Sequence, residues 1–239
     1  SSSLITIIIG TRPEAIKLAP VIKEFKLRNF SEIRVILTGQ HEELVYEVLE
    51  IFSIKYDYSI KLMSKNQSLD HITLKTLEGL EKEFTNFPPD LVIVQGDTTT
   101  AFAAALAAFY KKIRVAHVEA GLRTDDIYDP FPEEVNRRLI SQISSLHFTP
   151  TDKSKNNLIK SNVQGEIFKT GNTVIDSLLI TAKKNTKFKL MDLNNKFILL
   201  TVHRRENRGK KLQSIAESIL SIAAKHKDIY FLIPMHPSP

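Results

Sequence analysis

The chain has 239 residues, of which 42% are hydrophobic and 25% are charged, and its formal net charge is +6 at neutral pH. This balance is typical of a folded globular protein and excludes a disordered or collagen-like chain, while the absence of cysteine excludes a disulfide scaffold and zinc sites built on thiolates. No apolar run approaches the roughly 20 residues of a membrane span, and the first ten residues lack the features of a secretory signal, so we predict a cytoplasmic protein with no membrane partner.

Strands and helices are predicted to alternate along residues 1–182. The strands are short apolar runs, and the helices show apolar residues at three- and four-residue spacing. The predicted elements are strand 4–9, helix 14–28, strand 33–37, helix 42–52, helix 69–84, strand 91–94, helix 99–110, strand 114–118, helix 133–143, strand 146–149, helix 153–160 and a last element over 173–182. Continuous apolar strands that alternate with helices indicate a mostly parallel sheet covered on both faces. Residues 1–182 are therefore predicted to form a doubly wound, Rossmann-like α/β domain.

A change in composition separates a second predicted domain. Residues 183–211 carry ten basic and two acidic side chains, whereas residues 1–182 carry 21 basic and 23 acidic ones. The lysines of residues 183–195 lie among Asn and Thr rather than among aromatic residues that could stack on bases, so we predict a basic polar linker there and no nucleic-acid partner.

The second predicted domain starts at residue 196, and residues 196–239 contain its first elements, which are strand 197–202, helix 212–224 and strand 229–234. Two strands and one helix cannot cover both faces of a parallel sheet, so this domain is expected to be incomplete.

Each unusual polar cluster of the sequence follows a predicted strand. The clusters occupy residues 10–14, 40–41, 96–99, 117–123, 203–207 and 236. In open α/β sheets, ligands bind at the carboxyl ends of the strands, where helix N-termini present free N–H groups. The positions of the clusters therefore predict one cleft between the two domains.

The first of these clusters carries two candidate cations. It lacks both GxGxxG and GxxxxGK[ST], so neither a dinucleotide fingerprint nor a phosphate-binding P-loop is predicted. Arg12 lies just before a helix start, where the helix dipole also favours an anion. Lys17 has two interpretations of about equal weight, because it can pair with Glu14 at i, i+3 spacing or contact a phosphate.

Three carboxylates are candidates for chemistry, and two of them have good structural explanations. Asp97 can cap the following helix, which is the more frequent use of an aspartate after glycine. Glu133 lies in a predicted first helical turn, where a carboxylate offsets the dipole by roughly 0.3 to 1 kcal/mol without any catalytic role. Glu119 is harder to explain structurally, because it ends an apolar strand and is therefore expected to be partly desolvated.

Among the histidines, His203 is a candidate base, and the spacing of the histidines along the chain predicts no metal site. His117 is interpreted as a core histidine with satisfied hydrogen bonds. His203 could be a surface residue, but the two arginines that follow it favour the neutral imidazole, which can act as a donor or a base. The seven histidines show no HExxH or other close metal spacing, so we expect no bound metal.

Six motifs, in order along nearly the whole chain, resemble a known family. They are GTRPEAIK (10–17), QGDTTT (95–100), HVEAGLRT (117–124), FPEEVNR (131–137), TGNTVID (170–176) and HRREN (203–207). Together they resemble the non-hydrolysing UDP-N-acetylglucosamine 2-epimerases. The resemblance implies two Rossmann-like domains of the GT-B type with the substrate between them. It also implies interconversion of UDP-GlcNAc with UDP-ManNAc without a cofactor, in a protein expected to be a homodimer.

The resemblance also implies a mechanism and a set of site residues. UDP is eliminated from C1 as the C2 proton leaves, which gives a 2-acetamidoglucal, and UDP then adds back with protonation on the other face. By similarity, the acid–base residues are Asp97, Glu119 and Glu133, with His203 facing them from the second domain. The residues assigned by similarity to substrate binding are Arg12, Lys17, Arg204 and His236.

Two departures from the family pattern concern regulation and completeness. Many bacterial members have a second, regulatory UDP-GlcNAc site, onto which Gln40, His41 and Glu43 fall. Glu43 replaces an amide and Asn66 an arginine, which is unfavourable near a diphosphate and argues against activation by substrate. The sequence also stops before the family's Gly-Gly-containing uridine-diphosphate loop, so these 239 residues alone are expected to be inactive.

Three other functions are alternatives. A hydrolysing relative would release ManNAc and UDP, and a retaining glycosyltransferase of the same architecture would need an acceptor and would not exchange the C2 hydrogen. A noncatalytic sugar-nucleotide sensor would bind without turnover. The three carboxylates argue against the sensor, because a pure binder of a dianion gains nothing from negative charge around its ligand.

Overall fold

The computed structural model describes residues 3–39, 42–62, 67–184, 196–201 and 209–234. The chain divides into two compact units, residues 1–184 and residues 185–239. Most of the predicted linker, residues 183–195, lies outside the described residues, so the predicted domain boundaries stay a prediction.

The first unit contains a seven-stranded parallel sheet with the order β3-β2-β1-β4-β5-β6-β7. Its elements in chain order are β1 (Leu4–Ile9), α1 (Arg12–Arg28), β2 (Glu32–Leu37), α2 (Glu42–Ile51), β3 (Tyr58–Ser59), α3 (Leu69–Asn86), β4 (Leu91–Gln95), α4 (Thr99–Tyr110), β5 (Arg114–Val118), α5 (Glu133–Ile143), β6 (Leu146–Thr149), α6 (Asp152–Lys160), β7 (Glu166–Lys169) and α7 (Val174–Lys183). This is the doubly wound sheet that the sequence predicts.

Helices cover both faces of this sheet. Ile7 of β1 packs with α1 and α2 on one face, whereas the next residue, Ile8, packs with α3, α4 and α5 on the other. Because β1 is buried on both faces, it has the unbroken apolar sequence by which it is predicted. Strand β2 is added beside β1 on one side of the sheet, whereas β5 and β6 are added beyond β4 on the opposite side. Since crossovers between parallel strands are right-handed, α1 and α4 lie on opposite faces.

The face that carries α1 is less fully covered beneath β4, β5 and β6. An apolar cavity of about 500 Å³ lies there, lined among others by Phe25 of α1, Ile93 of β4, Val118 of β5 and Phe148 of β6. The last helix of the unit, α7, packs against α1, where Thr173 Oγ1 donates to the Lys17 carbonyl at 2.5 Å. The helices that follow β4 and β5, which are α4 and α5, lie on the other face, and this explains why this part of the sheet has less cover.

All the predicted elements of the first unit are present, with ends that differ by one or two residues. Helix α6, for example, begins at Asp152 because Thr151 caps it, accepting from the Ser154 amide at 3.1 Å. The prediction missed the two outermost strands, β3 and β7. Strand β3 has two residues, and β7 has the sequence EIFK with mostly exposed side chains, so neither shows an apolar run.

The described part of the second unit is a parallel pair of strands with one helix. These are β8 (Lys196–Leu199), α8 (Lys210–Lys225) and β9 (Ile229–Leu232). The predicted strand 197–202 ends beyond β8, and Val202 lies outside the described residues. Every helix that the structure describes in either unit lacks the combination of length and apolar character that crossing a membrane requires.

Candidate active site

The loop between β1 and α1 is tightly packed around a buried carboxyl group. Glu14 accepts hydrogen bonds from Thr11 Oγ1 at 2.7 Å and from the Gly10 amide at 3.3 Å. A side chain at Gly10 would lie 2.5 Å from Thr100 Oγ1 of α4. Arg12, the first residue of α1, is partly exposed beside this packed loop. The loop therefore presents a guanidinium at a helix start, as the sequence predicts.

Glu14 is not among the site residues predicted from the sequence. Burial raises the pKa of Glu14 to about 7, and the charge of Asp97 acts in the same direction. The hydrogen bonds from Thr11 and Gly10 oppose this rise without cancelling it. The signal was available, because Glu14 precedes the buried Leu18 by four residues and Ile22 by eight, and so lies on the apolar stripe of α1.

Replacing Glu14 by Gln is expected to remove a pH dependence of stability. The folded-state pKa of Glu14, about 7, lies above its ordinary value of 4.5, so its contribution to stability is complete below about pH 4.5 and is lost as the pH rises through about 7. This loss corresponds to about 3 kcal/mol in the free energy of unfolding. The amide of Gln keeps an acceptor for Thr11 and does not ionise. Urea unfolding across this pH range measures the difference.

The matched control for this prediction is Glu24→Gln, which changes an exposed carboxylate on the same helix. Its stability is expected to follow the wild-type pH profile. If Glu14→Gln keeps the wild-type profile as well, the buried carboxyl group does not titrate as described.

Glu119 and Lys17 form an ion pair at the carboxyl end of the sheet. Lys17 Nζ lies 2.6 Å from Glu119 Oε2, and Gln95 Nε2 donates to the same oxygen at 2.5 Å. Of the two interpretations of Lys17, the pairing with Glu14 is wrong, because Glu14 points into the protein while Lys17 reaches the end of β5. The expectation that Glu119 is partly desolvated is confirmed, since its side chain is only 14% exposed.

Asp97 does not cap helix α4, so that interpretation is wrong. The cap is Thr98, whose side chain accepts from the Ala101 amide at 3.1 Å. The Asp97 carboxylate instead faces Arg137, with 3.4 Å between Oδ2 and Nη1. Burial raises the pKa of Asp97 to about 6; Arg137 opposes this rise, whereas the nearby charges of Glu133 and Glu119 add to it.

Glu133 is the first residue of α5 and is partly exposed, as the dipole interpretation predicts. Its neighbour Glu134 is fully buried and accepts from Arg137 Nε at 2.6 Å and Arg138 Nε at 2.8 Å. Burial alone would raise the pKa of Glu134, but its hydrogen bonds from Arg138, the Thr124 amide and Arg137 together lower it. Glu134, which is not among the predicted site residues, holds in place the arginine that faces Asp97.

The strand ends thus bring together acids in contrasting environments. Lys17 contacts Glu119, whereas burial raises the pKa of Asp97 although Arg137 faces it, and a carboxyl group with a raised pKa is suited to general acid–base work near neutral pH. Lys17 and Arg12 add positive charge for an anion at the same edge of the sheet. Across residues 3–39, 42–62, 67–184, 196–201 and 209–234, no three His, Asp or Glu side chains are grouped as metal ligands.

Comparison with known proteins identifies the family. A sequence model of the UDP-N-acetylglucosamine 2-epimerase family matches residues 23–239. The chain belongs to this family. The UDP-N-acetylglucosamine 2-epimerase of Neisseria meningitidis serogroup A is 47% identical in an alignment of 243 positions that covers 97% of this chain and 65% of that protein. The chain thus spans less than two thirds of the length of this curated relative.

Solved structures of UDP-GlcNAc 2-epimerases share the fold. The enzyme from Neisseria meningitidis bound to UDP-GlcNAc is 46% identical, with a TM-score of 0.89 over 99% of this chain and 67% of that one. The enzyme from Methanocaldococcus jannaschii in complex with UDP-GlcNAc and UDP is 39% identical, with a TM-score of 0.81 over 98% of this chain and 66% of that one. The predicted fold class, Rossmann-like domains of the GT-B type, is confirmed.

Several residues that the family resemblance assigns cannot be placed. His203, Arg204 and His236 lie outside the described residues, and so do Gln40 and His41. Glu43 is described and is exposed in the first turn of α2. In this member of the epimerase family, the described site residues are those of the first unit, where Arg12, Lys17, Asp97, Glu119 and Glu133 lie along one edge of the sheet.

Proposed function

We propose that the complete protein interconverts UDP-GlcNAc and UDP-ManNAc by eliminating UDP and adding it back. The observation that carries the proposal is the meeting of Asp97, Glu119 and Lys17 at the carboxyl ends of neighbouring strands. Membership of the 2-epimerase family supports it, as does the solved relative from Neisseria meningitidis that binds UDP-GlcNAc.

The central chemical difficulty is the C2 hydrogen, which is not acidic in the intact sugar. A carboxylate can remove it only if the bond from C1 to the diphosphate oxygen is already breaking. The base then takes the C2 proton, the C2–H electrons form the C1–C2 double bond, and UDP leaves with the electrons of the C1–O bond. The products are a 2-acetamidoglucal, free UDP and a protonated carboxyl group on the protein.

Stabilising the departing diphosphate is the dominant task in this mechanism. Preorganised positive charge at the point where negative charge develops is usually the largest catalytic contribution. Arg12 at the start of α1 and Lys17 five residues later supply this charge from the first unit. When UDP adds back to C1, a carboxyl group on the other face of the sugar gives a proton to C2, and the configuration at C2 is inverted.

Two carboxyl groups are therefore needed, one on each face of the sugar. Asp97 and Glu119 meet this requirement best among the described residues, because they follow adjacent strands and differ in environment. Each acts as base in one direction and as acid in the other, since the reaction is reversible. Glu133, whose charge acts on Asp97, and His203, Arg204 and His236 complete the proposed site.

The test is mass spectrometry of UDP-GlcNAc incubated with the complete protein in deuterated water. We expect UDP-ManNAc and recovered UDP-GlcNAc, each carrying one deuterium at C2. Free ManNAc with UDP would indicate the hydrolysing reaction instead. Tight binding with no deuterium uptake would indicate a sensor, and dependence on an added acceptor would indicate a glycosyltransferase.

A homodimer in the cytoplasm remains our prediction for the complete protein. Light scattering coupled to size exclusion, at the concentrations used for the exchange assay, is expected to give the mass of a dimer. A monomeric mass together with full activity would contradict the prediction.

A further inference from the structure

His117 is a fully buried histidine whose ring contacts the loop that carries Asp97. It lies in β5 with 0% of its surface exposed, and its Nε2 is 2.7 Å from the carbonyl oxygen of Gly96. A carbonyl oxygen can only accept, so Nε2 carries the proton of this hydrogen bond. Nδ1 finds no partner among the described residues.

The ring stays neutral across the working pH range of an enzyme. Burial lowers the pKa of His117 to about 4, and the nearby charges of His147 and Arg123 act in the same direction, against the hydrogen bond to Gly96. A neutral ring with its proton on Nε2 is a fixed donor. His117 is therefore suited to holding a backbone group in place rather than to exchanging protons.

Gly96 is held by β5 through both of its backbone polar groups, and its carbonyl belongs to the peptide unit that leads into Asp97. The Gly96 amide donates to the Val118 carbonyl at 3.0 Å, and the Gly96 carbonyl accepts from His117. Gly96 has a φ of +72°, a left-handed conformation that leaves the regular strand at this point. The carbonyl of Asp97 accepts in turn from Asn136 Nδ2 at 3.0 Å. The direction of the Asp97 side chain therefore depends on groups that never touch its carboxylate.

We propose that His117 is a positioning residue that fixes the Gly96–Asp97 peptide and so aims the Asp97 carboxylate at the substrate. The inference rests on the proposed function, in which Asp97 exchanges a proton with C2 of the sugar. The position of a reacting group matters steeply, because a displacement of about 1 Å can cost roughly 100-fold in rate.

The chain offers a matched control in His147. His147 lies directly opposite His117 on the neighbouring strand β6, is equally buried, and makes a hydrogen bond of the same length from Nε2 to the Gln164 carbonyl. Gln164 precedes β7 and so lies at the amino edge of the sheet, away from the site at the carboxyl edge. Loss of a buried histidine is thus common to both positions, and only His117 bonds to the site loop.

The experiment compares His117→Leu, His117→Gln and His147→Leu in the complete protein. Hydrogen–deuterium exchange of the backbone over residues 95–101 is expected to be faster in His117→Leu and unchanged in His147→Leu. In the C2-exchange assay, kcat is expected to fall roughly 100-fold in His117→Leu with KM within about twofold of wild type. His117→Gln keeps an N–H donor near the position of Nε2 and is expected to recover most of the lost rate.

Two outcomes would overturn the inference. One is equal backbone exchange over residues 95–101 in His117→Leu and His147→Leu, which measures positioning without any assumption about the reaction. The other is an active wild type whose kcat falls by the same factor in both leucine variants. An inactive wild type would contradict the proposed function alone, and backbone exchange would still decide the role of His117.

Discussion

Replacing Glu119 by Gln is expected to reduce exchange of the C2 hydrogen with solvent deuterium by roughly 100- to 10,000-fold. The amide of Gln cannot take a proton from carbon, and general acid–base groups contribute roughly 100- to 10,000-fold to rates. Lys17 also loses its charged partner, from which it is separated by 2.6 Å in the native protein. The measurement is mass spectrometry of UDP-GlcNAc recovered from deuterated water.

Glu166→Gln is the control for this prediction, because Glu166 is an exposed carboxylate at the start of β7. It is expected to exchange the C2 hydrogen at the wild-type rate. Thermal unfolding of Glu119→Gln shows whether the variant is folded, and substrate binding is expected to persist. Wild-type exchange by a folded Glu119→Gln protein would remove this residue from the proposed chemistry.

Replacing Gly121 by Ala is expected to destabilise the protein by about 4 kcal/mol or more. Gly121 has a φ of +90°, where a residue with a Cβ is strained, and an added Cβ would lie 2.2 Å from the Ser154 carbonyl oxygen of α6. That oxygen belongs to the backbone, so it can move only if the whole start of α6 moves. Urea unfolding monitored by circular dichroism measures the loss.

Gly171→Ala separates the two causes of this loss. Gly171 has a similar φ of +80°, but an added Cβ would meet nothing within 4 Å. Only the cost of the left-handed conformation remains, about 1 to 2 kcal/mol. Equal destabilisation by the two substitutions would show that α6 yields to the new side chain without cost.

The central strands could be predicted from sequence because burial leaves a local signature. Strands β1, β4 and β5 are covered on both faces and therefore read as unbroken apolar runs. The edge strands β3 and β7 carry no such signature, because β3 has only two residues and most side chains of β7 are exposed. Helix ends also depended on local contacts, such as the Thr98 cap, which the preceding Asp97 obscured.

The candidate site could be predicted in its composition but not in its pairings. The polar clusters after the strands indicated which loops would meet, and the family motifs indicated which residues of those loops are candidates for the site. The partner of Lys17 could not be found by local spacing, because Glu119 is 102 residues away and the competing Glu14 is only three. The burial of Glu14 could have been read from its place on the apolar stripe of α1, but its hydrogen bonds from Thr11 and Gly10 depend on the path of the loop before the helix.

The order of the strands has a consequence for how this chemistry can change. Helices α1 and α4 leave the adjacent strands β1 and β4 toward opposite faces, so a crevice opens between them as a result of connectivity alone. The crevice would persist with other residues in its loops. Descendants of such a chain can therefore exchange reactive groups along the rim while inheriting the scaffold, which separates the evolution of catalysis from the evolution of folding.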